Sequence, residues 1–213
     1  MQSTVRKWLL AATLGTLTLS PMAFAQQPPD AGPPVVVKPR VRGTIVQVEG
    51  STLTVKATNG TLLNVHLNNN AKVVAIVAAS LTDIKPGSFV GTTAVPQPGG
   101  ALRATEVHIF PEAMRGTGEG HRAWDLGPTS TMTNGTVALA VQKIEGHTLT
   151  IKYKDGEKTV LVPPEAPVVT FEPGERAMLQ PGAHIIVSAA KQPDGSLTAA
   201  GVAVGKDGLV PPM

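Results

Sequence analysis

Residues 41–67 read VRGTIVQVEGSTLTVKATNGTLLNVHL, and the fold class follows from them. Val41-Arg42-Gly43-Thr44-Ile45-Val46-Gln47-Val48 runs into a turn at Glu49-Gly50. Leu53 and Val55 then alternate with Thr52, Thr54 and Lys56, and a second turn falls at Asn59-Gly60. Leu63, Val65 and Leu67 resume the period of two, with Asn64 and His66 on the opposite face. β-Branched residues at alternate positions suit a half-buried pleated strand. Glycine in each turn tolerates the positive φ that a tight hairpin imposes. The stretch predicts successive antiparallel strands.

Downstream, Asn68-Asn69-Asn70 reads as a loop and Lys72–Ala78 as another apolar run. Leu81-Thr82-Asp83-Ile84-Lys85-Pro86-Gly87 has the form of a short helical turn stopped by Pro-Gly. Strands follow at Ser88–Val95 and Ala101–Phe110, joined by Gln97-Pro98-Gly99-Gly100.

The second half returns to this order. Gly135-Thr136-Val137 answers Gly43-Thr44-Ile45, and Glu145–Lys152 (EGHTLTIK) answers Glu49–Lys56 (EGSTLTVK). Asp155-Gly156 answers Asn59-Gly60, Gln180-Pro181-Gly182 answers Lys85-Pro86-Gly87, and Pro193–Ala199 answers Pro98–Ala104. Chance alternation does not reproduce turn residues in order, so a tandem duplication is expected. Short strands with Gly-rich turns favour small closed barrels, which leave no open edge. The expected fold is therefore all-β: two tandem OB-like antiparallel barrels, at residues 41–110 and 133–205. Residues 111–132 are then the linker and 206–213 a tail. Aromatics are scarce, so Val, Leu, Ile and Ala must fill both interiors.

The N-terminus has a separate logic. Arg6-Lys7 precedes an apolar run from Trp8 to Leu19, Ser20-Pro21 breaks it, and Ala23-Phe24-Ala25 is a small-residue cleavage site. That is the pattern of a signal peptide over residues 1–25, with an apolar core too short for a stable membrane anchor. A periplasmic or secreted protein is expected. Residues 26–40 are proline-rich and read as an exposed tether. The chain has no cysteine, which excludes disulfides, thiolate metal sites and a cysteine nucleophile. Without Arg6 and Lys7, 16 of the 18 basic residues remain against 15 acidic ones. So small an excess gives no electrostatic reason to expect nucleic acid or an anionic membrane. No other segment is long and apolar enough to span a bilayer as a helix.

The recurring pattern G-T-I-V, G-S-T-L-T-V, N-G, L-x-x-I-K-P-G-x-x-V and G-x-L-x-A-x-x-V resembles a domain of unknown function found in exported bacterial proteins. It covers Val41–Phe110 well and Thr133–Val204 more loosely. The resemblance implies an OB-like barrel. The central stretch is also similar to small exported alphaproteobacterial proteins sometimes labelled as metal-transport components. It supplies no catalytic residues, and a permease needs membrane spans that this chain lacks.

Candidate chemistry gathers in Phe110–Gly135, FPEAMRGTGEGHRAWDLGPTSTMTNG, much less apolar than its flanks. Arg115-Gly116-Thr117-Gly118-Glu119-Gly120-His121 has the look of a phosphate loop. A dinucleotide site needs a strand before it and a helix after it, and no helical pattern follows. Arg115, His121, Arg122, Trp124 and Asp125 are candidates for binding a ligand or partner. The reading favoured for Trp124 is a clasp over the junction of the two barrels, since Gly127-Pro128 fixes a turn just after it, with Arg115 or Arg122 paired to Asp125.

His108, Glu119, His121 and Asp125, with Glu112 nearby, offer imidazole and carboxylate for a divalent transition metal. They show none of the recognised ligand spacings, and His108, between Val107 and Ile109, can simply face solvent. No G-x-S-x-G elbow marks a hydrolase. The mature aromatics are too few for a nucleic-acid stacking platform. The expectation is a non-enzymatic binding or scaffolding protein without cofactor, recognising an envelope protein, peptide or glycan. The alternative is a periplasmic metal-binding accessory protein. The sequence leaves the oligomeric state open.

Overall fold

The computed structural model describes residues 40–143 and 146–213. The expected signal peptide and residues 26–39 of the expected tether lie outside the described residues, as does Glu145 of the second-half turn. The described residues form one unit.

The first hairpins fold as their alternation dictates. β1 (Arg40–Glu49), β2 (Thr52–Ala57) and β3 (Leu62–Ala78) pair in antiparallel succession. Ile45, Leu53, Val55 and Val65 point inward and are fully buried, while Lys56 and His66 are exposed. β4 (Phe89–Pro96) and β5 (Leu102–Ile109) form the next hairpin, and β6 (Gly120–Ala123) is short. β7 (Thr131–Lys143), β8 (Gly146–Tyr153) and β9 (Gly156–Val162) form a second meander. β10 (Val168–Pro173), β11 (His184–Ser188), β12 (Ala190–Lys191) and β13 (Leu197–Gly205) complete the strands. Among the described residues the only helical pieces between them are single 3-10 turns, such as Leu81–Asp83, where Ser80 and Asp83 form a reciprocal capping box.

Strand pairing closes two five-stranded rings. In the first, β1, β2 and β3 are followed by β13, which runs parallel to β3, and β11 returns to β1. In the second, β7, β8 and β9 are followed by β5, parallel to β9, and β4 returns to β7. Each ring has its own apolar core. Ile45, Leu53, Leu67, Ile185 and Val204 fill the first; Val90, Val107, Leu149, Ile151 and Val160 fill the second. The aliphatic filling expected from the composition is what the rings contain. Each such side chain contributes roughly 1.5–3 kcal/mol by leaving water.

The rings do not follow the division at residues 111–132. The second ring is the continuous stretch from β4 to β9, inserted between β3 and β11 of the first. The chain leaves and re-enters the first ring at neighbouring points, because Ala78 and Val169 are register partners in the antiparallel β3–β10 pair. β10 also runs parallel to the end of β5, so it joins the two rings edge to edge. Residues 110–130 therefore connect two strands of one ring, β5 and β7.

Registers in the two rings correspond. Leu197 faces Val65 across the parallel closure of the first ring, and Leu102 faces Val160 in the second. The first strand of each meander carries a bulge, between Ile45 and Gln47 and between Val137 and Leu139. Just before each bulge a glycine is required. A Cβ on Gly43 would lie 2.2 Å from the carbonyl oxygen of Lys56, and one on Gly135 would lie 2.3 Å from that of Lys152. Close strand crossing at these points tightens the coil of each sheet.

One local expectation fails. Asn68-Asn69-Asn70 is no loop but part of the continuous strand β3. Opposite it the register jumps from Ala199–Leu67 to Gly201–Lys72, so the asparagines bulge out of the ladder without ending it. Pairing on both sides overrides their turn propensity.

Candidate functional site

Arg122, Trp124 and Asp125 meet where the two rings adjoin. β6 pairs with β7, and its alternation puts Arg122 and Trp124 on one face and His121 on the other. A turn then holds Trp124 in place. Its N–H donates to the Ser130 carbonyl at 2.8 Å, and Ser130 Oγ donates to the carbonyls of Trp124 and Gly127 at 2.9 and 3.0 Å.

The partner of Asp125 is neither Arg115 nor Arg122 but Arg42 of β1. Nη1 and Nη2 of Arg42 donate to the two carboxylate oxygens at 3.0 and 2.8 Å, a two-point fork. Arg40 Nη1 stands 3.7 Å from the same carboxylate. The guanidinium carbon of Arg40 lies 3.7 Å from the centroid of Trp124 and that of Arg122 lies 5.4 Å away, both in cation–π range. Arg122 otherwise donates to the Gly118 carbonyl at 2.7 Å.

Electrostatics reflect this crowding. Hydrogen bonds from Arg42 hold the Asp125 carboxyl below its ordinary value, with Arg42 and Arg40 adding charge attraction against burial. Burial lowers Arg40, and Arg42 adds to this while Asp125 opposes it. Arg122 is lowered by burial and then by the charge of Arg40. Arg42 and Arg40 face the Asp125 carboxylate, Arg42 Nε also donates to the main-chain oxygen of Met213 at 2.8 Å, and Arg122 adds a third guanidinium, so the cluster carries excess positive charge.

Beside the cluster is a cavity of about 200 Å³. Arg40, Arg42 and Ile186 of the first ring line it with His108, Phe110, Met132 and Asn134 of the second and Arg122 and Trp124 of the connection. Asn134 is 4% exposed. Its Nδ2 donates to the Thr117 carbonyl at 3.0 Å, while Oδ1 is buried with no hydrogen-bond partner among the described residues. A larger concavity of about 730 Å³ lies by Ala75, Pro173 and Gly205. Its lysine, Lys206, already pairs with Glu172 at 3.2 Å.

His108 does not face solvent; it is 3% exposed. Its Nδ1 lies 3.1 Å from Oε2 of Glu106, which is itself fully buried and accepts from Thr93 N–H and Oγ1 at 2.9 and 2.7 Å. At this distance the carboxyl group and the imidazole share one hydrogen bond. The imidazole packs edge-on against Phe110 and Phe171, 4.9 and 5.6 Å between centroids. Phe89 stands 5.3 Å from Phe110, so the few phenylalanines concentrate at this seam.

The remaining candidates stand apart. Arg115 pairs with Glu112 at 2.6 Å and donates to the Gly87 carbonyl. His121 Nδ1 is 2.8 Å from Thr133 Oγ1, and its ring lies 6.4 Å from that of Tyr153. Glu119 accepts from the Lys154 N–H at 3.0 Å. The four residues considered for metal thus have separate partners. Among the described residues no three His, Asp or Glu side chains are grouped to hold an ion. Arg40, Arg42, Glu106 and Asn134 were not singled out from the sequence. The available signal was period two: Arg40-x-Arg42 and Glu106-x-His108 each put two polar groups on one strand face.

Residues 127–203 match the model of a domain of unknown function (DUF5666), in the half of the chain where the resemblance was looser. The matched stretch begins before β7 and ends within β13, so it takes strands from both rings. No curated protein and no solved structure matches the chain.

Proposed function

We propose that the protein is an exported, non-enzymatic binding module that captures an envelope peptide, protein or glycan in the cavity between its rings. The single observation that carries this is the trio Arg40, Arg42 and Arg122 around Trp124, with one carboxylate among them, beside a cavity. Arginine and tryptophan anchored in a desolvated pocket are the residues that most often dominate binding energy. The leader-like residues 1–25 support export, and no helix among the described residues is long and apolar enough to cross a membrane.

The architecture supports a duplicated OB-like origin. Each ring has the order first, second, third, fifth, fourth, with the parallel contact between third and fifth. The second ring is a permuted version, with its last two strands preceding its first three. A tandem pair of such modules produces this when the closing strand pairs are exchanged between them. A metal-binding accessory role has less support, since its four candidate residues are dispersed.

The test is a thermal-shift panel of acidic and neutral peptides, uronic-acid glycans, divalent metals and chelator on the wild type and on Arg122→Gln. Stabilisation by a peptide or glycan that the variant loses supports the binding reading. A shift confined to one metal and untouched by Arg122→Gln overturns it.

A further inference from the structure

We infer that the seam cavity takes the C-terminal end of a peptide, its carboxylate against Arg40 and Arg122 and its last amide N–H against Asn134. This rests on the binding-module reading. The charge balance comes first. Arg42 spends both terminal nitrogens on Asp125 at 2.8 and 3.0 Å, Arg40 approaches that carboxylate only at 3.7 Å, and Arg122 has a neutral carbonyl as its hydrogen-bond partner. Two guanidiniums are left to face the cavity with spare donors. A planar guanidinium fork matches a carboxylate at two points.

Asn134 narrows the choice. Its Nδ2 is committed to Thr117, which fixes the amide orientation and leaves Oδ1 as a buried acceptor. An unmet buried acceptor is costly and wants a donor. The ligand group must therefore bring an anion and a donor, N–H or O–H, close together. A bare carboxylate or fully ionised sulfate brings only the first. A peptide's terminal carboxylate with its preceding amide brings both.

Size and surroundings point the same way. A cavity of about 200 Å³ admits one residue rather than a whole ligand, and Phe110, Met132 and Ile186 offer it an apolar wall. Peptide main chain already lies at the rim: Arg42 Nε donates to the main-chain oxygen of Met213 at 2.8 Å. Met213 is itself part of the lining, and the apolar wall favours a peptide's terminal side chain over a sugar.

Isothermal titration of the full chain tests this with four probes: acetyl-Ala-Ala-Leu as the free acid, the same peptide as its C-terminal amide, glucuronate, and inorganic phosphate. The expected result is binding of the free acid, at least tenfold weaker binding of the amide, and a tenfold loss for the free acid in Arg122→Gln. Asn134→Asp, which sets a negative charge against the ligand, should weaken it likewise. An unchanged melting temperature in Arg122→Gln establishes that this variant is folded. Equal binding of acid and amide overturns the peptide-terminus assignment. Binding of glucuronate or phosphate alone, dependent on Arg122, also overturns it while leaving the binding module standing. If no probe binds and the wider panel of peptides and glycans is also silent, both readings fall.

Discussion

Ile76 and Phe171 are register partners at the centre of the β3–β10 pair, and each occupies in its half of the chain the position the other occupies in its own. The spacing between them is that between Pro86-Gly87 and Pro181-Gly182. Equivalent residues facing each other mark a local two-fold relation. At this point each half crosses to the other ring, so the closing strands of one half complete the ring begun by the other. Core contacts within each ring are of the same kind as in a sequential arrangement. The β3–β10 ladder is the contact that crossing adds.

Crossing fixes which strands are neighbours, and a disulfide can read it. Thr44 and His184 are register partners on β1 and β11, with Oγ1 and Nδ1 3.0 Å apart. Antiparallel partners have Cα separations of roughly 4.5–5.5 Å, inside the disulfide range. Thr44→Cys with His184→Cys should oxidise within one chain, independently of concentration. In the chain-entropy account a bridge across so long a loop stabilises by about 5 kcal/mol. With no native cysteine, mass mapping of the non-reduced digest is unambiguous. A sequential arrangement would pair β1 with β4 and leave the two thiols free.

Trp124 ties the connection to β1 through Arg40. Trp124→Ala removes the ring between two guanidiniums and should lower stability by about 1–3 kcal/mol in urea titration. Trp124→Phe should recover most of this. The indole N–H is buried without a hydrogen-bond partner among the described residues, so losing it sacrifices no bond. A Trp124→Ala midpoint equal to wild type would remove the clasp.

Much of this was legible. Alternation at Leu53-x-Val55 and Leu63-x-Val65-x-Leu67, with glycine turns, specified the strands and their inward faces, because period two is a local property of the backbone. Ring membership was not local. β3 can receive β5 or β13 with the same kind of aliphatic contact, since Ala104 and Val107 stand where Ala199 and Val202 do. Nothing in residues 41–110 reports which one closes the barrel. The site was half legible for the same reason. Arg122, Trp124 and Asp125 are close in sequence, but Arg42 reaches Asp125 from another ring, and His108 read as a position that can face solvent because the strands covering that face come from elsewhere in the chain.

Two titrations should separate on a stability–pH curve. Hydrogen bonds from Arg42 depress Asp125, so its contribution is present above the ordinary value of about 3.9 and is lost as pH falls through its lower folded value. His121 is lowered by burial, then by Lys158 and Arg122, which favours the neutral ring in the folded state. Its contribution is therefore present above about 6.5 and declines as pH falls through that value toward the folded one. His121→Gln should flatten the slope just below pH ~6.5, and Asp125→Asn the slope below ~4. Urea midpoints between these limits test both. A slope near neutrality unchanged in His121→Gln removes the histidine from the account.

Gly91 is where the seam tolerates least. It sits on β4 between its two register partners, His108 on β5 and Asn134 on β7. A Cβ there would lie 2.0 Å from His108 Nε2 and 2.5 Å from Asn134 Oδ1. Neither neighbour is free to retreat. His108 is tethered through Nδ1 to Glu106 and flanked by Phe110 and Phe171, and Asn134 is held by the Thr117 carbonyl. Gly91→Ala should therefore destabilise by about 1–3 kcal/mol, the usual range for overpacking. It should also weaken any ligand that uses Asn134, because the side chain must turn to make room. Gly127→Ala is the control, since a Cβ there meets nothing within 4 Å. Urea titration of both variants decides: a shifted midpoint for Gly91→Ala alone places His108 and Asn134 over this glycine. Equal midpoints would mean that the two side chains lie elsewhere and that the cavity is not walled by them.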